Sequence, residues 1–211
     1  MQTVTEKVFE NIHCGVFSTE DVANLISGTD DKRYGLVKRA MAAGEILQIR
    51  RGLYCLAPKY LKKKIDPLVL AQRIYGPSYV SLEFALSWHG WIPEATYSIT
   101  CVSMRKSKTF DAPIGRFYYT RVPQKSFYAG VERLEKDDNV IFMARPIKAL
   151  ADYVYVYKKD WSDLKPVVES MRIEETDLRS IYPAEMEEVI DNYDSQRVRK
   201  FLEGLKGDLK L

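Results

Sequence analysis

The stretch 45–58, EILQIRRGLYCLAP, admits few conformations. Two apolar runs, Ile46–Ile49 and Leu53–Ala57, are too short to make helices, and Gly52 between them supplies the positive φ that a tight turn needs. They predict a β-hairpin with Arg50 and Arg51 at its tip. Three short amphipathic segments precede it. Val4, Val8, Phe9 and Ile12 share one helical face. Ser18 or Thr19 caps a second helix, in which Glu20 and Asp21 meet the helix dipole and Val22, Leu25 and Ile26 form the apolar side. A third restarts after Gly28 at Thr29 or Asp30, turns Leu36, Val37, Ala40 and Met41 inward and stops at Gly44. Three helices followed by a hairpin predict a winged helix-turn-helix, in which the third helix enters a major groove and the hairpin tip lies along the backbone or in a minor groove.

Charge supports this reading only when it is resolved along the chain. Lys and Arg total 32 against 29 Asp and Glu, a net +3 that says little about nucleic acid. Residues 1–64 hold 11 basic and 7 acidic side chains, whereas residues 135–211 hold 13 and 17. Within 32–64 there are ten cations and one acid, Glu45. Lys32, Arg33 and Tyr34 open the third helix where a recognition helix meets base edges, and Lys38 and Arg39 follow. Arg50 and Arg51 at the wing tip are placed to neutralise phosphates or enter a minor groove, and Lys62 and Lys63 lie in a Lys-rich linker that borders DNA. Each has a plainer alternative: a solvated helix face, an edge strand protected by its charges, and a solvated linker.

A boundary near residue 64 is expected, giving domains 1–64 and 65–211. The second reads as mixed α/β, so that the whole chain is α+β. A helix is expected over DPLVLAQRIY with Pro67 in its first turn, another over SYVSLEFALSWHGW, and strands through YSITCVSMRKSKTFDAPIGRFYYTRV with turn residues at 111–115. Val140–Ala144 reads as a strand, followed by a helix opening at Pro146 with Leu150, Val154 and Tyr157 on one face. Helices over AEMEEVIDNY and SQRVRKFLEGL complete the chain. Tyr153, Tyr155, Tyr157 and Trp161 suit either the second domain's core or an aromatic surface for a protein partner.

Several functions find no support. Cys14, Cys55 and Cys101 form neither a CxxC nor an even disulfide framework, which fits a reducing cytoplasm. No run approaches a membrane span, and neither GTDDKRYG nor GLKGD has phosphate-loop spacing, so neither a membrane partner nor a cofactor is expected. Glu83 and His89 form a conceivable acid-base pair, but a helix end with His89 at the Gly90 cap and Trp88 in the core accounts for them more simply, and no catalytic residue or metal is assigned. The rival function is a nuclease or nucleotidyl-transfer enzyme targeted by the winged domain. Such chemistry needs clustered carboxylates for Mg²⁺, and the five acids of residues 65–134 come no closer than eleven positions. A third reading makes the winged fold a protein-association module that never touches DNA.

The order of RRGLYCLAP, YVSLEFALSWHGWIP, TCVSMRKSKTFDAPIGRFYYTRV and MARPIKALADYVY resembles the AbiE-type antitoxins (AbiEi) of type IV toxin-antitoxin systems, over residues 1 to about 160. Where that family has an Ala-Pro-Glu-Lys-Ala-Leu type of segment, this chain places Ile147 at the Glu position. The resemblance implies a DNA-binding N-terminal domain that represses its own operon at double-stranded DNA, with inverted repeats expected. It also implies a C-terminal domain that counteracts a nucleotidyltransferase-like toxin.

Overall fold

The computed structural model describes residues 3–61, 63–136 and 139–211. The chain is α+β and divides into two compact units, residues 1–70 with 110–116, and residues 71–109 with 117–211.

The first unit runs α1 (Val4–Asn11), β1 (Val16–Ser18), α2 (Thr19–Leu25), α3 (Asp30–Ala42), β2 (Ile46–Arg50) and β3 (Leu53–Leu56), ending in a 3-10 turn at Pro58–Tyr60. Each helix starts on a side-chain cap. Thr3 and Glu6 form a capping box on α1, Ser18 and Asp21 form one on α2, and Thr29 accepts from the Lys32 amide on α3. Val4, Val8, Val22, Ile26, Val37 and Ala40 pack from the three helices onto Phe17, Ile46, Tyr54 and Leu56 of the sheet. The sheet order is β1-β3-β2. Strand β1, which the sequence did not announce, pairs Val16 with Cys55 and Phe17 with Tyr54. Three residues carry no readable periodicity, and the strand exists because the hairpin offers it a free edge.

The second unit is built on a six-stranded sheet of order β6-β7-β5-β4-β9-β8, from β4 (Ser78–Val80), β5 (Ile99–Ser103), β6 (Lys108–Ala112), β7 (Gly115–Arg121), β8 (Val131–Lys136) and β9 (Asn139–Ala144). Its helices are α4 (Pro67–Tyr75), which leads in from the first unit, α5 (Leu82–Trp88), α6 (Pro146–Val156), α7 (Lys165–Met171), α8 (Glu175–Leu178), α9 (Pro183–Asn192) and α10 (Gln196–Leu209). Three expectations need correction. The stretch SYVSLEFALSWHGW is not one helix: its first residues form the buried strand β4, because a short apolar strand and a buried helix look alike in sequence. Strand β8 and helices α7 and α8 were not foreseen. Trp88 is 47% exposed and Trp91, at 7%, is the tryptophan in the core. Tyr157 is 46% exposed, and Tyr153, Tyr155 and Trp161 are only half-buried, so the core side of α6 is formed by Ile147, Leu150, Ala151 and Val154 instead. Ile147 is fully enclosed, so packing governs the position where the resembled family carries an acid.

The same helix buries a charged pair. Lys148 and Asp152, one turn apart on α6, both have fully inaccessible side chains. The Lys148 ammonium donates to Asp152 Oδ1 (3.1 Å), Gln124 Oε1 (2.6 Å) and the Tyr193 hydroxyl (2.6 Å). Asp152 Oδ1 also accepts from Tyr193 (2.5 Å), while its Oδ2 accepts from Tyr79 (2.9 Å) and Ser81 (2.7 Å). Gln124 in turn donates to Tyr79 and accepts from Asn192. Burial pulls the Lys148 pKa down against the attraction of Asp152, and burial followed by the Asp152 charge pushes the Tyr79 and Tyr193 phenols up. Gly130, at φ +69°, lets the backbone press on this lysine: a Cβ there would come within 3.0 Å of the Lys148 Cβ. Removing one member of a buried ion pair typically costs about 3–5 kcal/mol. Lys148→Met is therefore expected to lower the unfolding free energy by about that amount, measured by urea denaturation, because it leaves Asp152 buried with its charge uncompensated.

Candidate nucleic-acid interface

Recognition by a helix-turn-helix depends on how α3 is held against α2, and the C-terminus of α2 fixes that. The Leu25 carbonyl accepts from Lys7 Nζ on α1 at 3.1 Å, and the Ile26 carbonyl accepts from Arg33 Nη1 on α3 at 3.2 Å. Two cations thus close the negative end of one short helix dipole. Arg33 Nη1 also donates to the Gly28 carbonyl at 2.6 Å, and its Nη2 meets Asp30 at 2.7 Å. Its side chain is only 19% exposed. The sequence grouped Arg33 with the base-reading residues, but its guanidinium is folded onto the turn that joins α2 to α3. Lys7 was not foreseen, since nothing in its local pattern distinguishes it from a solvated helix charge.

The outward side of α3 carries Lys32, Tyr34, Lys38 and Arg39, all exposed, with Tyr34 at 63%. Tyr34 and Lys38 are one turn apart on the same side. Between them lies Gly35, where an added Cβ would meet nothing nearer than Arg39 Nη1 at 3.7 Å. A glycine inside a helix costs roughly 1 kcal/mol relative to alanine, and here it leaves the backbone open to close approach. Lysine and arginine suit guanine, tyrosine suits phosphate or sugar, and the exposed Asp31 is an acceptor of the kind that takes a cytosine amino group.

At the wing, the Gly52 carbonyl accepts from the Thr19 amide at 3.2 Å, so the hairpin turn is anchored to the N-terminus of α2. Gly52 takes φ +76°, as the turn requires. The two arginines separate. Arg50 follows an irregularity in the strand pairing and donates from Nη1 to the Arg51 carbonyl at 2.9 Å, whereas Arg51 is exposed at the tip. Glu45, the one acid among the cations of residues 32–64, accepts from the Thr5 hydroxyl at 2.6 Å and ties the start of the hairpin to α1. Lys63 is exposed, and Lys62 lies outside the described residues.

The enzyme-like pair singled out in the second unit is not assembled. His89 Nε2 lies 3.0 Å from the Ala144 carbonyl and 3.5 Å from Glu132, so the groups against it are not Glu83. Among the described residues no group of three or more His, Cys, Asp or Glu is placed to hold a metal ion, and no helix is long and apolar enough to cross a membrane.

Three helices, an α2-α3 turn and an anchored two-stranded wing define a winged helix-turn-helix unit. Residues 6–57, nearly all of it, match the model of a family described as transcriptional regulators, AbiEi antitoxins, and the resemblance read from the sequence is shown over that segment. No curated protein matches the chain in sequence. The fold of the whole chain is similar to the crystal structure of the RV2827C protein from Mycobacterium tuberculosis, with a TM-score of 0.59 at 14% identity, covering 100% of this chain and 80% of that one.

Arg33→Ala removes charge-assisted bonds worth about 1.5–3 kcal/mol, and thermal or urea unfolding is expected to show a loss of that size. Arg33→Lys restores little of it, because a lysine lacks the planar fork that reaches two carbonyls and a carboxylate together. Arg51→Ala, at an exposed tip, leaves stability within about 0.5 kcal/mol of the parent.

Proposed function

We propose that this protein is a DNA-binding transcriptional autorepressor and the antitoxin of a type IV toxin-antitoxin system. It occupies double-stranded DNA at its own promoter, at inverted repeats, and performs no chemistry there. The observation that carries this reading is the family match over residues 6–57, which falls on a unit whose α3 and wing turn Lys32, Tyr34, Lys38, Arg39 and Arg51 outward. In this assignment Lys32, Tyr34 and Lys38 meet bases and neighbouring phosphates, and Arg39, Arg51 and the linker lysines Lys62 and Lys63 supply backbone attraction. Arg50 shapes the wing that presents Arg51, and Arg33 fixes the recognition helix without touching DNA. The domain from residue 65 onward counteracts a nucleotidyltransferase-like toxin, directly or functionally, in the cytoplasm.

Fluorescence anisotropy of the full chain on the DNA upstream of its gene, against a scrambled duplex at several salt concentrations, tests the regulator. A preference for the upstream DNA that persists at high salt is expected. Lys38→Ala narrows that preference, each lost base contact being worth about 1–3 kcal/mol. Arg51→Ala weakens both duplexes alike and lowers the log-log salt slope by about 0.9, the value for one phosphate. Equal, weak binding to both duplexes with no change in either variant overturns the reading. The antitoxin half is tested by co-expression: the full chain carrying Lys38→Ala and Arg51→Ala should still restore growth to cells making the toxin encoded next to it, while no longer repressing its promoter.

A further inference from the structure

The second unit holds an aromatic recess at the end of α6 that DNA binding leaves unused. Tyr153 and Tyr157, one turn apart, have ring centres 4.6 Å apart with 50° between their planes. Trp161, in the segment after the helix, lies 6.0 Å from Tyr153 and is backed edge-on by the buried Phe201 at 5.9 Å. Tyr157 is exposed, and Tyr153 and Trp161 are half-buried, so the rings reach the surface. The chain turns sharply here. Lys158 takes φ +52°, a conformation usually left to glycine, and the Lys159 amide donates to the Val154 carbonyl at 3.1 Å. That reversal brings the Lys159 ammonium back to the recess, 5.7 Å from the centre of Tyr153 and 5.7 Å from that of Trp161. A carboxylate comes from α5. Glu83 stands against the two tyrosines: desolvation, and then the Glu83 carboxylate, push both phenols up from their ordinary pKa. Its Oε2 is enclosed, yet it accepts no hydrogen bond among the described residues.

An enclosed carboxylate oxygen without a donor is costly, and native structures rarely leave one so. Aromatic faces attract a cation to the same place. Together they describe a receptor for a group that is positively charged, carries N–H donors and ends an aliphatic arm. Lys159 stands in for that group: its ammonium finds the rings but leaves Glu83 Oε2 unsatisfied. The surroundings draw small cations from solution, since residues 135–211 carry 17 acids against 13 bases and Asp160, next to Trp161 in the chain, is exposed. We propose that Glu83, Tyr153, Tyr157 and Trp161 form a binding site for a small aliphatic amine, which enters past the exposed Tyr157, displaces Lys159 and donates to Glu83. A quaternary ammonium fits less well, because it has no N–H to give. Such a site goes beyond DNA binding and does not rest on it.

The test is isothermal titration calorimetry of the full chain with cadaverine, whose arm matches that of a lysine, at fixed ionic strength. Tetramethylammonium and Nα-acetyl-lysine methylamide are the comparison probes. Saturable binding of cadaverine is expected, accompanied by a change in tryptophan fluorescence. Lys159→Met removes the competing cation and is expected to tighten binding by about tenfold, the size of one cation–π contact released to the ligand. Glu83→Gln is expected to weaken binding by about tenfold or more, as the loss of a charged hydrogen bond implies, and Tyr157→Ser by about fivefold. Glu83→Gln is nearly isosteric and the other two changes lie at the surface, so circular dichroism melts near that of the parent are expected, which separates lost binding from lost folding. Absence of saturable cadaverine binding in both the parent and Lys159→Met overturns the site. So does an unchanged affinity in Glu83→Gln, or tetramethylammonium binding as tightly as cadaverine. Tighter binding of the acetyl-lysine methylamide than of cadaverine overturns the free amine as occupant and assigns the recess to a lysine of a partner protein.

Discussion

The second unit is organised around a charge that has nowhere to go. Burying an ammonium or a carboxylate costs several kcal/mol even after relaxation, and Lys148 and Asp152 are both wholly enclosed. The fold meets that cost by giving the ammonium three acceptors and the carboxylate four donors. Those partners come from β4, from the residue that starts α5, from the segment after β7 and from the end of α9. The hydrogen-bond requirements of one side-chain pair therefore determine where four elements meet. An apolar core of the same volume tolerates rearrangement; a satisfied polar network does not, since every alternative packing leaves a charge unpaired.

The first unit uses charge differently. Lys7 and Arg33 are spent on the carbonyls that end α2, and Glu45 on a hydroxyl of α1, so part of what looks like a basic recognition surface holds the fold together. The cations left facing outward on α3 and at the wing tip are then displayed on a rigid frame, with the wing turn tied to α2 through Gly52. That division of labour matters for DNA recognition. Base readout depends on presenting a few side chains at a fixed angle, and phosphate attraction only on placing charge nearby.

Some of this was legible beforehand. The capping residues Ser18 and Thr29, the glycines at 28, 44 and 52, and the apolar spacing of Val22, Val37 and Ala40 are local signals, and the three helices and the hairpin form where those signals put them. The separation of Arg50 from Arg51 was not legible. Two identical neighbours differ only because one side chain bends back to a carbonyl across an irregular strand pairing. Nor did charge alone distinguish Arg33 from Lys32, since the difference lies in which carbonyls come within reach after α2 and α3 have packed. The edge strand β8 escaped notice because its charged residues obscure alternation, and β4 because three buried residues have no period.

The sequence by itself determined the winged helix-turn-helix, the basic character of residues 32–64 and the mixed nature of the rest, because caps, turn glycines, side-chain periodicity and charge density act over a few residues and need no partner. Tertiary structure alone decided which cations face solvent, that Lys148 and Asp152 are buried together, and that Arg105 and Lys108 lie against the ring of Tyr75. Each of these depends on acceptors and surfaces supplied by residues distant in the chain, and no local pattern encodes their arrival.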